Sequence, residues 1–513
     1  MALPESVREV VERRVTALGD RARETLTAAA VIGRNFDLGL LAKLVEIGET
    51  ELLDELEQAV AASLLAESTE KVGRFSFAHA LISHTHYDGL GATRRARMHL
   101  QVAEALEDLY GTDSEEQFAE LALHWRLATV SVDKAKAARY SLRAGQRALD
   151  NLAPEHARRW ALAEEAIALA RQVGDPRTLA TVLEDSCYAI WAPDTLAKRA
   201  ELVRELMAVV VQVKDLHVEY FARLRETNIA MELCDFARAD AALERIQAIA
   251  EQTRQPTRRW NTGFIAAAVC CMRGELEAGE RLAEQALQIG QEGGEPDAAM
   301  AYGATLIMNR MYQGRGAEVV ALLEQTVANV PGVAAWEAAL GLTYCFIDRR
   351  PDGAEVLVRA AGQHFEHLRH DQFRMCGLAL YADTAARTGS VEAAAMLYEL
   401  LDPYADQFVW TGATGFGHAR MYLALLAATL GRHERADAHF AFACAFHHQH
   451  SLRVWEARSE LGWAEALADR GETERAREHA ARALELAREH GYGAFEPGAA
   501  AILTSHASSS GGR

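Results

Sequence analysis

Three histidines fall within eight positions of FSFAHALISHTHYDGL, Phe75 to Leu90, and imidazoles this close in sequence raise the question of a metal site. If the stretch from Ala78 is helical, His79 and His84 point about 140° apart and His84 and His86 nearly opposite. His79 and His86 share a face but are separated by about 10 Å of rise. None is paired at i, i+3 or i, i+4, the spacing a helical chelate needs. A second cluster, CAFHHQH, does better, because Cys444, His447 and His450 recur every three residues and could converge at one side of a helix end. It lacks a further ligand pair at the usual spacing, so a solvated helix terminus is the plainer meaning. No G-x-S-x-G elbow, H-E-x-x-H or catalytic cysteine setting is visible, and no catalytic residue is assigned. A metal-dependent enzyme built on the histidines is therefore the weakest of the functional readings.

The elements that carry these residues change character along the chain. Asp20 to Ala30, Asp37 to Ile47 and Thr50 to Leu64 have apolar residues at helical spacing, with Asp20 and Thr50 placed as N-caps. In SLLAESTEKVGRFSF two short apolar runs then flank the polar turn Ser68 to Gly73, which predicts a β-hairpin. Three short helices followed by a hairpin is the pattern of a winged helix, here over residues 20–110.

From about Ala137 the sequence repeats. Ala137 to Ala170 has the two-helix length and small-residue pattern of a tetratricopeptide repeat, within a connecting region of residues 111–175. Further copies turn near Cys234, Gly274, Gly314, Arg350, Gly389, Gly431 and Gly471, predicting an array over 176–495. Glycine supplies the left-handed conformation that ends each first helix, and alanine lets the second pack close. Trp260, Trp336, Phe373, Trp410 and Trp455 each stand near the expected start of a first helix. On the concave side of an array they would form a ligand or partner surface, and otherwise they wedge neighbouring repeats apart as core. Residues 496–513 read as a disordered tail. The predicted fold class is mainly α, a winged-helix domain followed by a right-handed α-solenoid of tetratricopeptide-like helix pairs.

Bulk properties narrow the partners. The 513 residues carry a formal charge of -19, which repels polyanions, so nucleic-acid contact is not expected. The helix in the DNA-recognition place, TELLDELEQAVAASL, has acids and no Arg or Lys, which counts against the alternative of a DNA-binding regulator using the winged helix. The basic run TRRARMH, Thr93 to His99, reads as a solvated helix face, with a phosphate or an acidic partner as the other possibility. Seven cysteines, never spaced C-x-x-C, suit a reducing compartment, and no stretch approaches a membrane span. The expected setting is the cytoplasm.

Taken in order, LPESVREVVERRVTAL, AAAVIGRNFDLGLLAKL, FSFAHALISHTHYDGLGATRRARMHLQVAEALE and AARYSLRAGQRAL resemble the region that follows the ATPase core in STAND-type signalling ATPases, including MalT-like regulators of the LuxR family. The resemblance implies that residues 1–19 are the remnant of an ATPase lid helix, and that His79 in Phe77-Ala78-His79-Ala80-Leu81 stands where a nucleotide-state sensor contacts the β-phosphate of ADP. Ala80 replaces the family's aspartate, and Ser83 and His84 replace an arginine and an acidic residue. No G-x-x-x-x-G-K-[ST] occurs, so no cofactor is expected in this chain itself; ATP or ADP would enter with a P-loop domain acting in cis or in trans. The function implied is a non-enzymatic regulatory module that binds a protein, a peptide or a small inducer and relays the signal through the winged helix.

Overall fold

A computed structural model of the chain describes residues 18–45, 47–68, 71–78, 80–111, 117–128, 156–330 and 333–504, together with Val15, Lys136 and Tyr140. The lid segment expected before residue 18, most of the first repeat expected from Ala137 and the stretch Ser505 to Arg513 lie outside the described residues. The chain divides into two compact units, Met1–Ala189 and Ile190–Arg513.

In the first unit, α1 (Gly19–Ile32) buries Ala22, Leu26 and Ala29, a stripe at helical spacing. It leads through β1 (Asn35–Asp37) to α2 (Leu38–Leu44) and α3 (Glu49–Ala61), and then to β2 (Leu65–Glu67) and β3 (Arg74–Phe77). The strands form one antiparallel sheet in the order β1-β3-β2. Phe36 pairs with Phe75, Leu65 pairs with Phe77, and all four side chains are buried. The hairpin is where the alternation of the sequence predicts it. Strand β1 was not foreseen, because three residues, Asn-Phe-Asp, are too few to show a period of two.

The caps differ from expectation. Asp20 lies in the first turn of α1, whose N-cap is Leu18, and Thr50 lies inside α3, whose N-cap is Gly48. Asp37 is the residue that caps, its Oδ1 accepting the Gly39 N–H at 2.8 Å. Three helices follow the sheet directly: α4 (Ala80–Asp88), α5 (Ala92–Tyr110) and α6 (Phe118–Leu127). The unit ends with α7 (His156–Val173) and α8 (Pro176–Ala189), which pack on each other.

The second unit is a tetratricopeptide-like solenoid. After α9 (Leu196–Val213), seven pairs follow: α10 (Leu216–Glu232) with α11 (Phe236–Thr253), α12 (Pro256–Met272) with α13 (Leu276–Gly293), α14 (Ala298–Tyr312) with α15 (Val320–Asn329), α16 (Ala335–Phe346) with α17 (Arg350–Gly362), α18 (Arg374–Thr388) with α19 (Val391–Leu401), α20 (Ala419–Thr429) with α21 (His433–Gln449), and α22 (Arg453–Asp469) with α23 (Thr473–His490). Each turn holds one left-handed residue: Cys234, Gly274, Gly314, Asp348, Gly389, Gly431 and Gly471. Six of these are the residues picked out in the sequence; at the turn near Arg350 the strained conformation falls two positions earlier, on Asp348.

Two elements depart from the expected pattern. A short hairpin, β4 (Phe408–Trp410) and β5 (Gly415–His418), is inserted between α19 and α20. The tail expected from residue 496 begins instead with a helix, α24 (Glu496–Thr504), which packs on α23 and α22 and buries Ala499 completely. Pro497 and Gly498 obscure that helix in sequence, yet proline is tolerated in a first turn because its missing N–H has no helical partner there.

Candidate functional site

An array of helix pairs normally touches only its neighbours and leaves a concave groove for ligands. In this protein the groove is filled and the array meets itself. Helix α12 packs against α22, and the Ala494 N–H bonds the Tyr312 carbonyl at the end of α14 at 3.2 Å. Tyr312 also meets the rings of Trp455 and Phe495 at 5.3 and 5.8 Å.

The filling is the hairpin. Its Trp410 indole N–H donates to Asn228 Oδ1 on α10 at 2.9 Å, Gln407 Nε2 donates to the Pro193 carbonyl at 2.9 Å, and Phe408 stacks edge-on against Phe236 of α11. Two glycines make room. A Cβ on Gly415 would lie against Met272 Sδ and Phe408, and one on Gly417, at φ +83°, would meet the Trp455 ring at 3.0 Å. Both strands are buried along their whole length. A cavity of about 30 Å³ lies nearby between Asn309, Tyr312, Thr414 and Trp455, room for about two waters.

Buried polar groups fix this interior. Arg458 on α22 forks onto Asp383 of α18 at 2.5 and 3.1 Å, and Arg387 reaches the same carboxylate at 2.9 Å. Burial alone would raise the Asp383 carboxyl, but the two guanidinium groups outweigh it and hold the group down at about 2. Arg199 of α9 forks in the same way onto Glu232 of α10 at 2.8 and 2.7 Å.

The cluster Cys444, His447 and His450 is not a chelate. His447 is fully buried; its Nε2 accepts the His418 backbone N–H at 3.0 Å, so that nitrogen carries no proton, and Nδ1–H is left to donate to Ser459 Oγ at 3.0 Å. Both ring nitrogens are thereby engaged within the protein. Cys444 is buried, with its thiol pushed up by burial and by Glu460, which opposes the thiolate a metal needs. His450 turns its ring to Phe446 and Phe236. Among the described residues no group of three or more His, Cys, Asp or Glu could hold a metal ion. Cys444 and His447 are core, while His448 and Gln449 leave the helix end itself solvated.

His79 lies outside the described residues. His86 on α4 places Nδ1 3.4 Å from Thr27 Oγ1. In the basic run on α5, Arg94 and Arg97 are exposed, whereas Arg95 packs over Tyr87 and donates to the Leu90 carbonyl. His99, from the same run, is buried between Tyr87 and His124, with Nδ1 2.9 Å from His124 Nδ1.

The five aromatics do not share one surface position. Trp260, Trp336, Phe373 and Trp455 do stand at or beside the starts of first helices; Trp260 and Trp455 are buried and Trp336 and Phe373 half-buried. Trp410 is in β4, nine residues before its helix begins, and is buried in the filled groove. The residues that sequence reasoning missed are those around it. FVWTGATGFGH carries the same signal as the first hairpin, two short apolar runs about a glycine-containing turn.

No family model matches the chain, and no curated protein matches it. Among solved structures it is similar to a STAND protein with a tetratricopeptide repeat sensor from Pyrococcus horikoshii, at 12% identity and a TM-score of 0.37 over 86% of this chain, which spans 65% of that one. It is also similar to the APC/C hetero-tetramer Cut9–Hcn1, at 12% identity and a TM-score of 0.44, over 83% of this chain and 82% of that one.

Proposed function

We propose that the chain is a regulatory interaction module without catalysis of its own: residues 20–110 act as a winged helix, and the tetratricopeptide-like array receives a protein partner. In this reading the signal passes to an ATPase domain or a transcriptional output, in cis or in trans, and nucleotide belongs to that partner. The observation that carries it is the exposed face of α3. Glu49, Asp54 and Glu57 point to solvent from the helix that would enter a DNA groove, the helix itself carries no cation, and Glu51 beside them is paired with Arg21 of α1 at 2.5 Å. That face repels phosphate and suits a basic protein surface. The filled groove adds a constraint, since a partner must meet the outer helices or the edges of the array.

The test mixes the full chain with a STAND-type P-loop ATPase domain and, separately, with labelled duplex DNA at low salt. Saturable association with the ATPase that weakens when Asp54 and Glu57 are both changed to Lys supports the proposal. Binding to DNA by the wild-type chain, with no association to the ATPase, overturns it in favour of a DNA-binding regulator.

A further inference from the structure

A groove of about 250 Å³ opens in the first unit where β1, the turn between β2 and β3, the end of α5 and the start of α6 meet. Its floor is apolar, made by the buried Phe36, Leu40 and Leu106, and Val72 and Tyr110 are exposed along it. Four charged side chains line the same groove: Asp37 of β1, Lys71 of the turn, Arg74 of β3 and Glu120 of α6. Unpaired charges are ordinary on a protein surface. What sets these apart is that both signs converge on one apolar floor and do not close on each other. The register of the sheet puts Asp37 directly opposite Arg74, their Cα atoms about 5 Å apart. Yet Asp37 turns Oδ1 to the Gly39 N–H, and Lys71, Arg74 and Glu120 make no ion pair or side-chain hydrogen bond among the described residues. A groove of similar size in the second unit behaves otherwise: there Arg359 Nε donates to Glu337 at 3.1 Å, and the two charges neutralise each other within the wall.

Negative charge gathers about Tyr110, whose hydroxyl is raised by partial burial and further by Asp37 and Glu120, with Arg74 opposing them. The groove wall partly desolvates the Glu120 carboxyl and raises it as well, Arg74 again pulling back. The acids thus lack a cation in contact, and Lys71 and Arg74 lack an anion. A compact ligand carrying both an ammonium and a carboxylate satisfies both sides. Because Asp37 and Arg74 are direct cross-strand neighbours, the two charges of the ligand must also stand close together, as they do on the single carbon of an α-amino acid. A molecule with one charge leaves one side unmet, and one without an apolar side chain leaves the floor unused. The volume lies just below the ~300–1,000 Å³ of drug-sized ligand sites, which suits a molecule of this size.

We infer that this groove binds an apolar α-amino acid, its carboxylate held by Lys71 and Arg74, its ammonium by Asp37 and Glu120, and its side chain lying on Phe36, Leu40 and Leu106. The site gives the first unit a small ligand of its own and goes beyond the proposal of a protein partner. Binding needs no second protein, so the two can fail separately.

The experiment is calorimetric titration of the full chain with L-leucine, L-methionine and L-phenylalanine, and with glycine, 4-methylpentanoate, 3-methylbutylamine and 6-aminohexanoate for comparison. At least one of the first three should bind saturably with Kd about 1 mM or tighter. Glycine, which lacks the side chain, and the acid and the amine, which carry one charge each, should bind at least about tenfold more weakly, as should 6-aminohexanoate, whose charges are far apart. Arg74→Gln and Glu120→Gln should each weaken the bound amino acid by about tenfold or more. Both residues are exposed, so the unliganded variants should unfold at the wild-type temperature. Absence of saturable binding by all three amino acids, equal affinity for a single-charge analogue or for 6-aminohexanoate, or wild-type affinity in either variant would each overturn the assignment.

Discussion

The interior of the second unit should make it labile to mild acid, and two histidines set the size of the effect. His418 is 2% exposed and His447 is fully buried. Burial, with the Arg420 charge adding to it, lowers His418 to about 4, and burial lowers His447 well below its ordinary value. In the unfolded chain both titrate near pH 6.5, so below that pH the unfolded state binds protons that the folded state refuses. Their contribution to stability is complete above pH 6.5 and is lost as the pH falls toward the folded value of His418. Between pH 7 and pH 5 each costs about 1.9 kcal/mol, or about 4 kcal/mol together. His367 and His439, also lowered by burial, act in the same direction. The carboxylates held low by ion pairs, such as Asp383, begin to lose stability only below about pH 4, so this window isolates the histidines.

Urea unfolding followed by tryptophan fluorescence reads the right unit, because six of the eight tryptophans lie after residue 190. The wild type should lose about 4 kcal/mol or more between pH 7 and pH 5, and His418→Gln with His447→Gln should flatten the dependence by about 4 kcal/mol. Nitrogen-15 spectra give a second readout, since His447 should show an unprotonated Nε2 and no titration down to pH 5. A midpoint independent of pH across this range, or a His447 that titrates near 6.5, would refute the reasoning.

Two further perturbations test the filled groove and the buried charges. Trp410→Phe keeps a ring but leaves Asn228 Oδ1 buried without its donor, and should cost about 1–3 kcal/mol; a double-mutant cycle with Asn228→Ala should show coupling of about 1 kcal/mol, and additive effects would mean the hairpin is not seated on α10. Removing one partner of the Arg199–Glu232 pair by Glu232→Gln should cost about 3–5 kcal/mol by denaturant unfolding, whereas Arg199→Met with Glu232→Leu together should cost much less.

The repeat register was legible because it rests on single residues with strong conformational demands. Six of the seven left-handed turn residues could be named from the sequence, five of them glycines, and the seventh position was missed by two residues because Asp348 supplies the left-handed turn there without glycine. Alternating apolar residues also gave the first hairpin. What stayed hidden depends on contacts distant in sequence. Cys444, His447 and His450 look solvated when read as the end of a polar helix, and only the approach of β5 and α22 turns His447 into core. Trp410 fits the periodic pattern of its neighbours so closely that the insertion carrying it was absorbed into the repeat.

Self-contact also changes what kind of signal this array could carry. In an open solenoid each repeat is stabilised by its neighbours only, so the ends fray and local binding has local consequences. Here α12 packs on α22 and the end of α14 is bonded to the segment at Ala494, while the inserted hairpin joins α10 and α11 to α20 and α21, with the Phe236 ring meeting Phe408 edge-on and Phe446 at a tilt. A repeat cannot swing away without exposing the hairpin, both of whose strands are buried throughout. The second unit should therefore unfold as one cooperative body and respond to a partner as one body. Such a unit transmits a signal by moving between discrete packings as a whole and not by gradual flexing. If proteolysis or hydrogen exchange instead showed the last pair, α22 with α23, opening independently of α12 and α14, the closed architecture would not survive in solution.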